Sequence, residues 1–378
     1  MRIVYIYKSI ALLAGMERIL SDKMNYLSEN NDIEIYLITY EQSNHPISFP
    51  LNSKITHIDI DVKFYSTHGY PLGKRMIMYL NMRYLFSKRL KKNILKINPD
   101  IIVTTTYSYP ILDLIIGISK TAKYILESHV AKESILKSYG FTNPILKLIS
   151  RFYDGYMIRQ IKKFDKLITL TNHDKLSWHE VPQSMVIPNS IKLSKHRALL
   201  DSHKVISVGR LHEQKGFDLL IKAWNDVHQK YSDWEIHIYG DGSQKDILLK
   251  LINDYGLQES VFIHQPSPNI YDEYLKYSFY VMSSRYEGFG LVLAEAMSCG
   301  LPCISFDCPH GPADIIKHNE DGLLVNNGDI KHLSDSISLL IENDYLRKEM
   351  GEKACKNIQR YSEYLIKKQW IDLFNTLM

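Results

Sequence analysis

Two stretches of this sequence carry residue types that can do chemistry together. The first is Ser284-Arg-Tyr-Glu-Gly-Phe-Gly-Leu-Val-Leu-Ala-Glu-Ala-Met-Ser-Cys-Gly-Leu-Pro302. An apolar run at 279–282 enters a glycine-bearing loop there and then a helical pattern. Free backbone N–H groups at the start of such a helix, aided by its dipole, suit a phosphate. Gly288 and Gly290 let the backbone come close to a ligand. Glu287 falls in the loop and Glu295 inside the helix, so the two carboxylates have separate roles. A carboxylate accepts hydrogen bonds in a fixed plane and suits sugar hydroxyls. The second stretch, Val205-Ile-Ser-Val-Gly-Arg-Leu-His-Glu-Gln-Lys-Gly-Phe-Asp218, repeats the strand–loop–helix order. Arg210 and Lys215 flank its loop, and Gly216 precedes the next helix. Two cations at a strand's carboxyl end make a clamp for a diphosphate. Neither stretch is a Walker A loop, and no G-x-G-x-x-G fingerprint follows a first strand.

The elements that must hold these loops are legible as short apolar runs alternating with helix-period stretches. Strand-like runs fall at 3–7, 33–40, 55–60, 101–105, 124–127 and 167–170. After a break they resume at 205–208, 234–239, 261–264, 279–282, 303–306 and 323–325. Most are continuously apolar, as parallel strands covered on both faces are. Amphipathic helices are expected at 216–230, 244–255, 291–298 and 330–342. The pattern is βαβα twice over, which predicts an α/β chain of two doubly wound domains. The domains are expected at 1–187 and 188–360. A last helix at 361–378 has apolar positions that need a surface to cover.

The chain has 378 residues, 45% hydrophobic and 23% charged, which is ordinary globular composition and excludes a disordered or fibrous chain. No apolar run reaches the roughly 18–20 residues needed to span a bilayer. Four cysteines in so long a chain do not make a disulfide framework. The expectation is a cytoplasmic protein, peripheral on the inner face of the plasma membrane. The net charge of +4 hides an asymmetry: residues 1–188 hold 25 Lys+Arg against 16 Asp+Glu, and the remainder 21 against 26. The first half is therefore expected to meet something anionic. The densest basic stretch, 74–96, interleaves Lys74, Arg75, Arg83, Lys88, Arg89, Lys91, Lys92 and Lys96 with apolar residues and has no acid. It reads as a basic amphipathic helix that lies on anionic lipid or faces an anionic ligand, or as the solvated face of a packed helix.

The set Gly209-Arg210, Lys215-Gly216, Gly240-Asp241-Gly242 and Glu287-Gly-Phe-Gly-x4-Glu295-Ala-Met-x2-Gly300-x-Pro302 resembles the family-four retaining glycosyltransferases of GT-B fold. Asn189 in Val-Ile-Pro-Asn resembles their interdomain motif, Gly15-Met-Glu-Arg18 the turn after the first strand, and Glu127-Ser-His129 their histidine loop. The resemblance spans nearly the whole chain. It implies two Rossmann-like domains facing across a cleft, with the acceptor on the first, the nucleotide-sugar donor on the second, and the last helix packed back on the first.

It further implies that Arg210 and Lys215 neutralise the donor diphosphate and that Glu295 holds the ribose. Glu287 would hold the transferred sugar, with Gly288, Phe289, Gly290 and Leu291 near the phosphates. His129 would contact the sugar near its reacting carbon, and Gly15 would let backbone approach phosphate and acceptor. The expected enzyme is a retaining hexosyltransferase that needs no metal and no cofactor. It would move a hexose or N-acetylhexosamine from a UDP-sugar to a lipid-linked oligosaccharide, in capsule, O-antigen or lipopolysaccharide assembly. The alternatives are the same fold acting on a soluble small acceptor, and a non-catalytic module that binds glycan or a partner. No nucleic-acid-reading motif accompanies the basic stretch.

Other signals are set aside. Asp59-Ile-Asp61 mimics a metal-binding D-x-D but follows a short strand in the wrong half. Cys299, Cys303 and Cys308 lack metal-ligand spacing. His173 and His179 read as surface histidines, and Trp224 and Trp370 as core. The loop 307–314, stiffened by two prolines, is expected to line the donor-sugar pocket, and 264–266 to meet the base or form a plain loop.

Overall fold

The computed structural model describes residues 1–12, 15–67, 69–136 and 144–378. They form two compact units, the first made of Met1–Leu170, Asp174–Ile187 and Lys367–Met378 and the second of Thr171–His173 and Pro188–Ile366.

The first unit is built on strands β1 (Arg2–Tyr7), β2 (Glu34–Thr39), β3 (Thr56–Asp59), β4 (Ile101–Thr105), β5 (Lys123–Glu127), β6 (Lys166–Thr169) and β7 (Ser184–Val186). They lie in the order β3-β2-β1-β4-β5-β6-β7, all parallel. Helices α1 (Gly15–Ser28), α2 (Leu72–Ile97), α3 (Leu112–Ile115), α4 (Lys132–Ile135), α5 (Pro144–Ile161) and α6 (Asn172–Ser177) connect them. Every residue of β4 is buried, the signature of a central parallel strand covered on both faces. Trp178, wholly buried, is among the largest side chains of this core.

The second unit repeats the design with β8 (Lys204–Val208), β9 (Glu235–Tyr239), β10 (Val261–His264), β11 (Phe279–Met282), β12 (Cys303–Asp307) and β13 (Gly322–Asn326). The order is β10-β9-β8-β11-β12-β13, again parallel throughout. Its helices are α7 (Phe217–His228), α8 (Lys245–Asp254), α9 (Ile270–Tyr274), α10 (Leu291–Ser298), α11 (Pro312–Ile315), α12 (Ile330–Glu342) and α13 (Asp344–Asn357). The last helix, α14 (Glu363–Leu377), counts in the first unit from Lys367. α7 buries Phe217, Leu220, Ile221, Ala223, Trp224 and Val227 along one face. Asp329 and Asn343 cap α12 and α13 by accepting from the N–H groups of His332 and Leu346.

Both sheets are doubly wound, and strand order reverses between β1 and β4 and between β8 and β11. Ligands of open α/β sheets bind outside the carboxyl ends of the strands at that reversal. Among the described residues no helix is long and apolar enough to cross a membrane.

Candidate active site

The reversal in the second unit is where the expected donor residues stand. β8 ends at Val208, and Gly209 and Arg210 follow. A short 3-10 turn, Glu213–Lys215, then hands the chain to α7 through Gly216 at φ 62°. A Cβ on Gly216 would lie 2.0 Å from the carbonyl oxygen of Ser283, so only glycine lets the two loops touch. β11 supplies the second loop, which closes with Gly290 at φ 93° as the N-cap of α10.

The loops are laced together at side-chain level. Lys215 Nζ lies 2.6 Å from Glu287 Oε1, which also accepts from Ser284 Oγ at 2.6 Å. Arg285 forks onto Asp218, with Nη1 and Nη2 each 2.8 Å from a carboxylate oxygen. Burial alone would raise the Asp218 carboxyl, but hydrogen bonds and charge from Arg285 hold it below the usual carboxylate range. Gln214 donates to the carbonyl of Tyr286 at 3.0 Å, and Asn327 to that of Arg285 at 3.1 Å. Arg210, by contrast, is exposed and makes no side-chain bond among the described residues. Gly288 and Leu291 are half-buried, and Phe289 is buried edge-on against Tyr361 at 5.3 Å. Glu295 is 1% exposed inside α10, where its charge acts on Tyr274 and Tyr280.

The loop after β12 packs on the same edge. Pro309 accepts from the N–H of Glu287 at 3.2 Å, and a Cβ on Gly311 would meet the Phe289 carbonyl at 2.5 Å. Asp314 holds neighbouring chain in place. Its Oδ1 accepts from the backbone and side-chain nitrogens of Asn172 at 3.0 and 2.9 Å. Its own carbonyl accepts from Tyr361 Oη at 2.7 Å.

Two expected site residues belong to the first unit. Gly15 is not in a turn, as the motif suggested. It opens α1, where a Cβ would meet nothing within 4 Å. His129 follows β5, with Nε2 2.7 Å from Glu127 Oε2. Glu127 is also bonded by the buried ammonium of Lys23. Sequence reading assigned no role to Lys23, Glu127, Asp218, Ser284 or Arg285. All of these but Lys23 stood within the motif stretches, but only the fold reveals their partners.

The discounted signals also find places. Asp59 accepts from Thr39 Oγ1 at 3.0 Å and Ser43 N at 2.9 Å. All four cysteines are buried and unpaired, and no group of three or more His, Cys, Asp or Glu among the described residues could hold a metal ion. His173 and His179 are exposed, and the His173 ring lies 5.0 Å from that of His310. Trp224 and Trp370 are core.

Known proteins resemble the chain in sequence and in fold. Residues 190–357 match the family described as glycosyl transferases group 1. An uncharacterized glycosyltransferase of Haemophilus influenzae is 24% identical over 98% of both chains. The amylovoran biosynthesis glycosyltransferase AmsD of Erwinia amylovora is 35% identical over 58% of this chain and 66% of its own length. The solved structure of Staphylococcus aureus TarM, in complex with fondaparinux, alpha-GlcNAc-glycerol and UDP, superposes with a TM-score of 0.76 at 19% identity, over 99% of both chains. The second unit is thus a group 1 glycosyl transferase domain by its family match, and both units have the doubly wound architecture of the GT-B fold.

Proposed function

We propose that the chain transfers a hexose or N-acetylhexosamine from a UDP-sugar to a lipid-linked glycan, with retention at the anomeric carbon and without a metal, in surface-polysaccharide assembly. The observation that carries the reading is the Lys215–Glu287 pair at the strand reversal, beside exposed Arg210 and the start of α10. In this reading Arg210 and Lys215 take the diphosphate, whose growing charge on departure is the main electrostatic demand of the reaction. Glu287 then exchanges its bond to Lys215 for hydroxyls of the sugar. The N–H groups of Phe289, Gly290 and Leu291 attend the phosphates, Glu295 the ribose, Gly15 the acceptor side, and His129 a hydroxyl near the reacting carbon. The leaving phosphate accepts the acceptor's proton on the same face, so Glu287→Gln slows turnover without trapping a glycosyl-enzyme. UDP is favoured by its presence with the fold-mate TarM, and polysaccharide assembly by the relative AmsD.

The lipid-linked acceptor is favoured by the first unit. α2 exposes Leu72, Met76, Ile77, Leu80 and Tyr84 beside Lys74, Arg75, Lys88, Lys91 and Lys92. Two cations of the basic run are already engaged: Arg83 pairs with Asp113, and Arg89 donates to the carbonyls of Ile60 and Asp61.

The test is a thermal-shift panel with UDP, GDP, ADP and UDP-sugars in chelator. A ligand at 100-fold excess over its Kd stabilises by about 2.7 kcal/mol. A UDP-selective shift that Arg210→Ala abolishes is expected. A flat response to every nucleotide would overturn the reading in favour of a binding module.

A further inference from the structure

β5 ends on Glu127, and the chain turns so that the His129 imidazole lies back on that carboxylate, Nε2 to Oε2 at 2.7 Å. Glu127 is 1% exposed and Lys23, from α1, is 4% exposed, and the ammonium bonds both carboxylate oxygens. Over the ammonium stand two aromatic rings, Trp370 of α14 at 4.3 Å and Tyr5 of β1 at 5.2 Å. Four elements of the first unit thus converge on one buried ion pair.

Stability does not require such a pair, because apolar residues of similar volume serve as well or better. What apolar residues cannot do is fix a proton. Lys23 and Glu127 cancel each other's charge, and the acid form of Glu127 is suppressed: burial favours it, but the Lys23 charge and the bonds from His129 and Lys23 outweigh burial. Burial keeps the His129 imidazole below its ordinary value, with Glu127 opposing and Lys23 adding to the effect. The ring is therefore neutral near pH 7 and has one N–H. An ionised carboxylate can only accept, so the nitrogen facing it, Nε2, carries that hydrogen and Nδ1 keeps a lone pair.

We propose that Glu127 and Lys23 are positioning residues that lock His129 in its Nε2–H tautomer, so that Nδ1 is presented as an acceptor for a hydroxyl of the transferred sugar. This rests on the role given to His129 above. Lys23 keeps Glu127 ionised in a buried place. A protonated Glu127 could donate to Nε2 and would reverse the tautomer. Trp370 and Tyr5 shield the ammonium from water, which ties the C-terminal helix to the same device. A site whose lone pair awaits a hydroxyl also rejects the deoxy analogue, since the acceptor is then left unpaired.

The direct test is the tautomer itself, read by long-range 1H–15N correlation on 15N-histidine-labelled full chain, with His129 assigned by difference against His129→Asn. The neutral Nε2–H pattern is expected in the wild type. An Nδ1–H pattern, or a mixture like that of free imidazole, overturns the proposal whether or not the chain turns over sugar. The second test is the charge-balanced pair Lys23→Met with Glu127→Gln, which strands no buried charge. It is expected to unfold like the wild type while kcat falls roughly 10–100-fold, the usual cost of losing an orienting partner. Donor KM should move far less, and restoring Glu127 with Lys23→Arg should recover most of kcat. Wild-type kcat in the doubly substituted chain would show the pair to be structural only. Absence of any turnover in the wild type would instead fall on the functional reading and leave the tautomer measurement to decide.

Discussion

The ammonium of Lys215 and the carboxylate of Glu287, seventy-two positions apart, meet at 2.6 Å on the edge of one sheet. Their side chains are only 15% and 7% exposed, so each is the other's main compensation for lost water. Removing one member strands a largely buried charge. Lys215→Met is expected to cost about 3 kcal/mol, the low end for breaking such a pair. Lys215→Met with Glu287→Gln should recover most of it while remaining inactive. Urea unfolding of the three chains checks this, and equal midpoints for the single and double variants would count against it.

Glycines near the strand ends should divide sharply. A Cβ on Gly240 would stand 2.0 Å from the Gly209 carbonyl oxygen, a backbone atom with nowhere to go. Gly240→Ala should therefore destabilise by about 2–3 kcal/mol. Gly15 has open space around it at the head of α1. Gly15→Ala should leave stability unchanged or raise it by about 0.5 kcal/mol. If the proposed approach of acceptor to this backbone is correct, that same stable variant loses turnover, and a fully active Gly15→Ala chain removes Gly15 from the site.

Acid should loosen the second unit through a histidine pair. His237 Nδ1 and His264 Nε2 lie 2.8 Å apart, and His237 Nε2 is 3.0 Å from Glu235. Burial holds both imidazoles below their ordinary value, and in His237 the bond from Glu235 only partly opposes it. A lowered folded value leaves stability whole above the unfolded value of about 6.5 and erodes it as pH falls toward the folded one. Urea midpoints should hold from about pH 8 to 7 and decline below about 6.5. His264→Gln should flatten that decline, and identical slopes in the two chains would refute the assignment.

The lipid proposal makes a quantitative statement. At about 1 kcal/mol for each basic residue near an anionic surface, changing Lys88, Lys91 and Lys92 to Gln should weaken binding to phosphatidylglycerol vesicles roughly 100-fold. α5 exposes a second apolar row, with Leu148 55%, Ile149 60% and Phe152 73% exposed, beside Lys147 and Arg151. Phe152→Ser should weaken the same binding while leaving its salt dependence intact. Vesicle flotation reads both, and failure of the wild type to float with anionic vesicles ends the idea.

The sheets were largely legible in the sequence because parallel strands buried on both faces write themselves as unbroken apolar runs. Twelve of the thirteen strands among the described residues lie within one residue of the predicted ends. β7 was not seen: it is a three-residue, half-buried edge strand at 184–186, and such a strand has no pattern to show. α10 and α12 match their predicted spans residue for residue. The helix expected at 74–96 runs Leu72–Ile97. α5 escaped because it is apolar on both sides, Met157 and Ile161 facing inward and Leu148 and Phe152 outward, so no single 3.6-residue stripe stands out. At the site, the loop residues were found because glycines and charges mark a strand end. Lys23 was not, because an isolated lysine in a helix looks like any solvated one until β5 is laid beside it. Asp314 stands in α11 rather than in the loop expected at 307–314, and its bonds to Asn172 could not be guessed across 142 positions.

The four cysteines were silent in the chemistry, and their burial makes them useful. Burial raises the thiols of Cys299 and Cys308 to about 11 and about 12, and that of Cys303 well above its ordinary value. All four lie in the second unit, and none is exposed. A maleimide therefore finds no exposed thiol on the folded chain. It can react only when the second unit opens, so the native sequence carries its own probe of that event. The first unit, without a cysteine, can accept a single engineered label with no native thiol removed.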